Sequence, residues 1–256
     1  QYQGLGQLEW VFSESLKQRW NLFLAFSGNR SNTFVNDQAL PSAVPSVISR
    51  PTSGYLRIGI AGSGINRSSA WSGNAYLLQA VPAAVPADQR QQLQEAGIQS
   101  GRAAAIGSLI SGAVAFAPSW QLNARVAGQL AFNPLLNSMQ FALGSDVGIR
   151  GLPGQLVSGD SGVLGTLETV WTFWQKKGQA LQLVPFIGAG SVRTSVLGFT
   201  LNDSVGSAGV LVRWLAGENW STELGWVDQF FTTDNSGPWQ TTALGNGVYF
   251  KLGYRF

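Results

Sequence analysis

The stretch best equipped for specific chemistry is a glycine-rich segment that carries a single arginine. Residues 148–152 read Gly-Ile-Arg-Gly-Leu, and residues 159–162 read Gly-Asp-Ser-Gly. A guanidinium group is planar and permanently charged, and its N–H fork matches a carboxylate in a bidentate pair. The surrounding glycines allow the backbone to fold tightly in a crowded space. Arg150 is therefore predicted to bind an acidic side chain, although a solvated arginine on an ordinary outer loop fits these residues equally well.

The composition indicates where such a segment could lie. Charged residues make up 11% of the 256 residues, against roughly 25% in an ordinary soluble domain. So little charge suggests that much of the surface does not face water. The chain contains no run of about 18 apolar residues, as a membrane-spanning helix would require. The remaining class is the transmembrane β-barrel, in which hydrophobic residues alternate with polar ones.

Several functional classes are disfavoured by residues that the chain lacks. It has no cysteine and no histidine, which rules out thiol chemistry, histidine bases and the usual zinc sites. We therefore predict no enzymatic activity, no cofactor and no metal. The net charge is only +3, and no basic run indicates a nucleic-acid partner.

Alternation with a period of two predicts eleven strands. The segments are 6–15, 20–28, 53–65, 71–81, 104–116, 120–132, 162–174, 179–192, 204–216, 220–231 and 247–256. Short connections alternate with long ones, and the long ones are 29–52, 82–102, 133–161, 193–203 and 232–246. This pattern predicts an all-β, antiparallel up-and-down barrel in the outer membrane, with short turns at one end. Within the long connection 82–102, a short helix is expected near 87–96.

Aromatic residues support a membrane location. Six tryptophans lie at or near the short turns, as expected for a belt at the lipid headgroups: Trp20, Trp71, Trp120, Trp174, Trp214 and Trp220. The last segment alternates and ends at Phe256, which resembles the signal that outer-membrane proteins present to the barrel assembly machinery. Membrane lipid and that machinery are therefore predicted partners.

Parity along the strands predicts a mildly basic lumen. The charged residues on the inward face are Glu9, Arg57, Arg125, Glu168, Arg213, Glu223, Lys251 and Arg255. A polar lumen is usual for a porin, so these residues alone indicate no substrate. Glu168, on the first strand after the arginine segment, is the predicted partner of Arg150.

Three motifs resemble a known family. Ile149-Arg150-Gly151-Leu152 resembles the Val-Arg-Gly-Phe/Tyr loop motif of the superfamily that joins periplasmic POTRA domains to a β-barrel. The preceding Gln140-Phe141-Ala142-Leu143-Gly144 is similar to the Gln-Phe-x-Leu-Gly of its two-partner secretion branch, the FhaC/ShlB/HecB-type translocators. The spacing to Gly159, Asp160 and Gly162, and then to Glu168, also resembles that branch.

The resemblance implies a sixteen-strand barrel, of which about eleven strands are present here, with the first strands and the POTRA domains absent. It implies that the loop 133–161 folds into the lumen and that Arg150 is a latch with Glu168 as its partner. It further implies export of an unfolded exoprotein that is recognised by the POTRA domains. An assembly factor of the same superfamily and a passive porin remain alternatives.

Two positions depart from the family pattern. The family has a second acid in a Phe-x-Asp-x-Gly pattern, but residues 186–190 read Phe-Ile-Gly-Ala-Gly. Gly188 therefore stands where the aspartate is expected, and Leu152 replaces the usual aromatic residue. Asp160 and Glu223 are the candidate substitutes for the missing acid.

Overall fold

One antiparallel sheet of eleven strands dominates the computed structural model. The structure describes residues 2–32, 34–35, 38–39, 44–152, 154, 156–196, 199–217, 219–233 and 247–254. Each strand of this sheet pairs with the strand of the same sheet that follows it along the chain. The strands are β1 (Tyr2–Glu14), β2 (Gln18–Arg30), β5 (Thr52–Ile65), β6 (Ser69–Ala80), β7 (Ala104–Ala117), β8 (Trp120–Ala131), β11 (Ser161–Lys176), β12 (Gln179–Val196), β13 (Phe199–Ala216), β14 (Trp220–Thr233) and β15 (Gly247–Tyr254).

The predicted all-β, up-and-down architecture is confirmed. Within the described residues, β1 and β15 form the two ends of the sheet and do not pair with each other. Four short strands lie in the connections, namely β3 (Phe34–Val35), β4 (Gln38–Ala39), β9 (Phe141–Leu143) and β10 (Val157–Gly159). Among the described residues, the α-helices are α1 (Ser46–Ser49) and α2 (Ala87–Glu95), and short 3₁₀ helices span Pro82–Ala84, Asn137–Met139 and Ser145–Val147.

The two faces of the sheet differ as the alternation predicts. Large apolar side chains are exposed along one face, because successive strand residues point to opposite sides. They include Leu8, Trp10, Leu24, Ile58, Val126, Leu130, Phe250 and Leu252. A continuous apolar surface of this extent is unusual for a protein surrounded by water. The opposite face carries the charged residues and is covered in part by the connection between β8 and β11.

Aromatic rings gather at the end of the sheet that has the short turns. Trp20 and Trp71 lie 5.4 Å apart between ring centroids, and Trp120 stacks on Trp171 at 5.3 Å. Trp220 contacts Tyr254 at 4.7 Å. Indole rings suit the boundary between lipid and water because one edge is polar. The grouping is the one expected of an aromatic belt.

The structure corrects one predicted connection. Residues 193–203 are not a long loop, because β12 and β13 continue through most of this range and pair up to Val196 and Phe199. The β-branched residues of this stretch, such as Thr194 and Thr200, favour continued strand pairing. The predicted loop was therefore wrong for most of this range. The connection 232–246 lies largely outside the described residues.

The predicted helix in the second long connection is confirmed as α2. Its C-terminus is followed by Gly97 in the left-handed region, with φ of 82°, which is a common way for helices to end. No helix in the described part of the chain is both long and apolar enough to cross a membrane.

Candidate functional site

The connection between β8 and β11, residues 132–160, is named the inner loop. Part of this loop is a short hairpin, in which β9 pairs with β10 in antiparallel register. The tip between these strands is closed by backbone hydrogen bonds from Ile149 N to Gly144 O (3.1 Å) and from Asp146 N to Gly154 O (3.1 Å). Gly148 and Gly151 adopt φ of 111° and 76°. Residues other than glycine rarely adopt positive φ angles.

The inner loop packs against the charged face of the sheet through an apolar contact. Leu143 and Ile149 are fully buried, in one cluster with Leu164 of β11 and Val192 of β12. At the tip, a Cβ on Gly151 would lie 2.4 Å from Val227 Cγ1 of β14. Glycine is thus required there for close approach as well as for its φ angle.

Arg150 projects from the tip between two carboxylates on different strands. Its Nε donates a short hydrogen bond to Glu168 Oε1 on β11, and one terminal nitrogen donates to Glu168 Oε2 at 3.4 Å. The other terminal nitrogen donates to Glu223 Oε2 on β14 at 3.0 Å. The side chains of Arg150, Glu168 and Glu223 are 21%, 17% and 11% exposed, so water screens these pairs only partly.

Glu223 is shared between two arginines. Arg213 lies directly opposite Glu223 in the β13–β14 register, and its Nε donates to Glu223 Oε1 at 2.8 Å. Lys251 lies opposite Glu223 on the other side, in β15. Each oxygen of the carboxylate therefore has its own arginine, and Glu223 is held in place independently of the loop.

Two residues that sequence reasoning missed hold the backbone of the tip. Ser207 of β13 donates a short hydrogen bond to the carbonyl oxygen of Arg150. Gln229 of β14 donates a short hydrogen bond to the carbonyl oxygen of Gly151. Ser207 and Gln229 lie on the same face of their strands as Arg213 and Glu223. Strand alternation therefore predicts their inward direction, although they carry no charge to single them out.

Asp160, predicted as part of the latch, lies at the base of the loop and not at its tip. Its carboxylate is 5% exposed and accepts hydrogen bonds from Leu135 N (3.0 Å), Gln140 Nε2 (3.3 Å) and Ser195 N (2.8 Å). It does not contact Arg150 in the described structure, whereas Glu223, the other candidate acid, does. Gly159 and Gly162 lie beside it, where a Cβ would meet Arg193 O at 2.9 Å and Phe141 Cδ1 at 2.5 Å, respectively.

The remaining predicted lumen residues are distributed along the charged face. Arg125 and Lys251 line an open cavity of about 920 Å³ together with Arg150 and Glu168, and Arg57 lines a second cavity. Glu9 is exposed on β1 and accepts a hydrogen bond from Gln7. Arg255 and the predicted assembly signal Phe256 lie outside the described residues. Within the described part of the chain, no cluster of His, Cys, Asp or Glu suits a metal ion.

Comparisons with known proteins show the family and support the fold. The model of the haemolysin secretion/activation protein family ShlB/FhaC/HecB matches residues 2–210, which is more than half of the chain. The chain belongs to the ShlB/FhaC/HecB family. This is a family of outer-membrane transporters for two-partner secretion.

Solved structures support the same fold for this ShlB/FhaC/HecB family member. CdiB from Escherichia coli is 12% identical with a TM-score of 0.74, over 98% of this chain and 45% of that one. CdiB from Acinetobacter baumannii is 17% identical with a TM-score of 0.65, over 98% of this chain and 41% of that one. The chain thus spans less than half the length of either CdiB protein. No curated protein sequence matches it.

In this ShlB/FhaC/HecB chain, Gly188 stands at the position where the family pattern has its second acid, and Ile149 of the inner loop packs against it. A Cβ on Gly188 would lie 3.1 Å from Thr166 Cγ2 and 3.4 Å from Ile149 Cγ2. Leu152, in place of the usual aromatic residue, is buried with Ile149 in the apolar contact. The second carboxylate on Arg150 comes instead from β14, two strands away from Gly188.

Proposed function

We propose that this protein exports an unfolded exoprotein across the outer membrane through the lumen of its barrel. Membership of the secretion family, the exposed apolar face and the polar opposite face support this function. The route needs no catalytic group and no nucleotide. Recognition of the exoprotein is expected to reside in POTRA domains outside this chain, and the mature barrel is expected to meet lipid and the assembly machinery.

The observation that carries the proposal is the way in which Arg150 fastens the inner loop to the wall. In the resting state we infer that the inner loop occupies the lumen and that Arg150 acts as a latch on Glu168 and Glu223. Hydrogen bonds to charged groups contribute roughly 1.5–3 kcal/mol each. A few such bonds are strong enough to hold a loop and weak enough to be exchanged for contacts with a passing chain. A covalently fixed plug would lack this property.

Engineered cysteines can test whether the loop must leave the wall during export. The 256 residues contain no cysteine, so a disulfide between Ile149→Cys and Gly188→Cys would be unambiguous within this region. A Cβ on Gly188 lies 3.6 Å from Ile149 Cα, so the two Cα atoms are at most one C–C bond further apart, which is short enough for a disulfide to bridge them. In cells that produce the full-length protein and its exoprotein, oxidation of the pair is expected to stop secretion, and a reductant is expected to restore it.

The controls are the two single-cysteine variants, which should secrete equally under oxidising and reducing conditions. Unchanged secretion by the oxidised pair, with the disulfide verified by mass spectrometry, would overturn the loop mechanism. If both forms conduct ions while neither secretes an exoprotein, the chain is a passive channel and the export proposal fails.

A further inference from the structure

A second cavity lies between the wall and the inner loop, next to the cavity that Arg150 and Glu168 line, and Arg125 borders both. It measures about 260 Å³, and it is bordered by β5–β8, by β11 and by the first half of the loop. Its polar lining includes Arg57, Asn74, Tyr76, Arg125 and Gln129. Two arginines therefore line one partly open space, and no aspartate or glutamate is among its lining residues.

Neither of these arginines has a counter-charge in the described structure. Arg57 Nε and Arg125 Nε are buried and lack a hydrogen-bond partner, and the ion pairs found among the described residues include neither side chain. Buried ionised groups are normally paired, because removing them from water is costly. Arg150 and Arg213 on the same face follow this rule, since each binds a glutamate.

The surroundings of Arg57 hold the guanidinium in place and leave its N–H edge available. The Arg57 Cζ atom lies 4.4 Å from the centre of the Tyr76 ring and 6.0 Å from that of Tyr55. Stacking on an aromatic face stabilises a cation and uses the flat surface of the guanidinium. The Arg57 Nε–H group at the edge of the guanidinium has no acceptor among the described residues.

The neighbouring polar side chains offer only neutral acceptors: Asn74 Oδ1 is buried without a hydrogen-bond partner, but an amide oxygen carries no charge to balance a guanidinium group. Gln129 donates to Met139 O (2.9 Å) and to Asp160 O (3.1 Å), and its side-chain oxygen faces the Tyr76 hydroxyl at 3.4 Å. These bonds tie Gln129 to the base of the loop, so its oxygen is already engaged. The cavity thus offers fixed cationic donors and no anion of its own.

We propose that this cavity is a carboxylate-binding site, with Arg57 and Arg125 as the binding residues. A carboxylate is planar and accepts two hydrogen bonds from one guanidinium, which is the geometry that Glu168 already adopts with Arg150. The carboxylate can belong to a free small acid or to an Asp or Glu side chain of a polypeptide in the lumen. The site does not depend on the export function, since it is formed by the wall and the loop alone.

Isothermal titration calorimetry with citrate tests the site directly. The full-length protein in detergent micelles would be titrated at constant ionic strength, which keeps general screening the same. Wild type is expected to bind citrate, and Arg57→Gln and Arg125→Gln are each expected to weaken binding about tenfold, as for the loss of one charge-assisted hydrogen bond. Arg67→Gln is the matched control, because Arg67 is exposed in the turn after β5.

One further variant and a peptide competition test how the site binds a carboxylate and which molecule supplies it. Arg57→Lys keeps the charge and loses the planar fork, so it is expected to bind citrate more weakly than wild type and more tightly than Arg57→Gln. Heat-modifiable migration on gels checks that each variant is folded. A glutamate-rich peptide that competes with citrate, where its glutamine counterpart does not, would assign the site to polypeptide side chains; citrate binding without competition would assign it to free acids.

Binding that is equal in wild type, Arg57→Gln and Arg67→Gln would overturn the proposal, as would absence of citrate binding to folded wild type. Neither result bears on secretion, which the cysteine experiment measures separately.

Discussion

Ile149 lies directly over Gly188, with its Cγ2 atom 3.4 Å from the point that a Cβ on Gly188 would occupy. Ile149 is fully buried there, so the tip of the inner loop rests on bare backbone of β12. The family pattern has an aspartate at this position, and this chain instead places its second acid on β14. At Gly188 the loop tip meets the wall through an apolar contact, whereas the second acid at Arg150 is Glu223.

Introducing the family aspartate is expected to loosen the loop. In Gly188→Asp the carboxylate would enter the apolar contact beneath Ile149, and burying a polar group without a good partner costs roughly 1–3 kcal/mol. The rate of proteolysis within the inner loop of the native protein reports the open fraction and should rise. Gly188→Ala introduces the Cβ without the charge and should change the docking free energy by less than about 1 kcal/mol. Slower proteolysis in Gly188→Asp than in Gly188→Ala would contradict this and would indicate that Arg150 moves to the new acid.

The two carboxylates at Arg150 are expected to contribute unequally. Glu168 accepts two hydrogen bonds from Arg150 and Glu223 accepts one, while Glu223 keeps Arg213 when Arg150 is removed. Double-mutant cycles of Arg150→Ala with Glu168→Gln and with Glu223→Gln should give coupling energies of about 2 and 1 kcal/mol, respectively.

The coupling energies can be obtained from loop proteolysis of the single and double variants. A cycle that combines Arg67→Ala with Glu168→Gln serves as the reference, because Arg67 is exposed in a turn and should show no coupling. A larger coupling to Glu223 than to Glu168 would contradict the predicted order. If Arg150→Ala leaves both ion conductance and loop proteolysis unchanged in the full-length protein, Arg150 is not a latch.

Asp160 is expected to stabilise the base of the loop independently of Arg150. Asp160→Asn keeps the shape of the side chain but has one acceptor oxygen, whereas the donors around Asp160 bind both of its carboxylate oxygens. The substitution also places an N–H₂ group in a buried environment. We expect a loss of about 2 kcal/mol, as for an unsatisfied buried donor. Hydrogen exchange at the Leu135 and Ser195 amides should accelerate. Asp146→Asn, at an exposed carboxylate on the same loop, is the control and should exchange as wild type; equal exchange in both variants would refute the bracing role.

A contact between the first two long connections is expected to weaken in acid. The Ser46 hydroxyl donates to Asp88 Oδ2 at 2.5 Å and, as the largest cause, lowers the pKa of Asp88 below its usual value. A depressed folded-state pKa means that the contribution is present above the unfolded-state pKa, near 3.9, and is lost as the pH falls through the lower folded-state value.

An NMR titration of the Asp88 carboxyl measures this effect. Ser46→Ala should return the Asp88 pKa toward the ordinary range and remove the pH dependence of the contact between α1 and α2. An Asp88 that titrates identically with and without the Ser46 hydroxyl would contradict the assignment.

Much of the sheet could be predicted from the sequence because its signals are local. Alternation fixes which residues of a strand share a face, and turn residues mark where a strand ends, so all eleven strands of the main sheet had counterparts in the pattern. The ends of β12 and β13 near Val196 and Phe199 were missed, because polar residues are typical of a loop when their cross-strand partners are unknown, even where β-branched residues favour a strand. Pairing from Thr194 to Leu201 depends on contacts that a single segment does not reveal.

The site was harder to predict for the same reason. Glu168 is eighteen residues from Arg150 and follows the loop directly, so parity was enough to propose it. The choice between Asp160 and Glu223 depended on how far the tip reaches across the sheet, which no local pattern contains. Ser207 and Gln229 carry no charge and therefore gave no signal, although they hold the carbonyl oxygens beside Arg150.

The contacts of the loop tip have a mechanical consequence for the wall. Arg150 connects β11 to β14, while its own carbonyl oxygen is fixed to β13 between them. The tip is therefore a cross-brace that spans four consecutive strands from β11 to β14, and it limits how far this arc of the sheet can flatten or curl. When the brace is released, the arc becomes free to change its curvature. Withdrawal of the loop would thus alter the bore of the passage in two ways, by clearing its centre and by relaxing its rim.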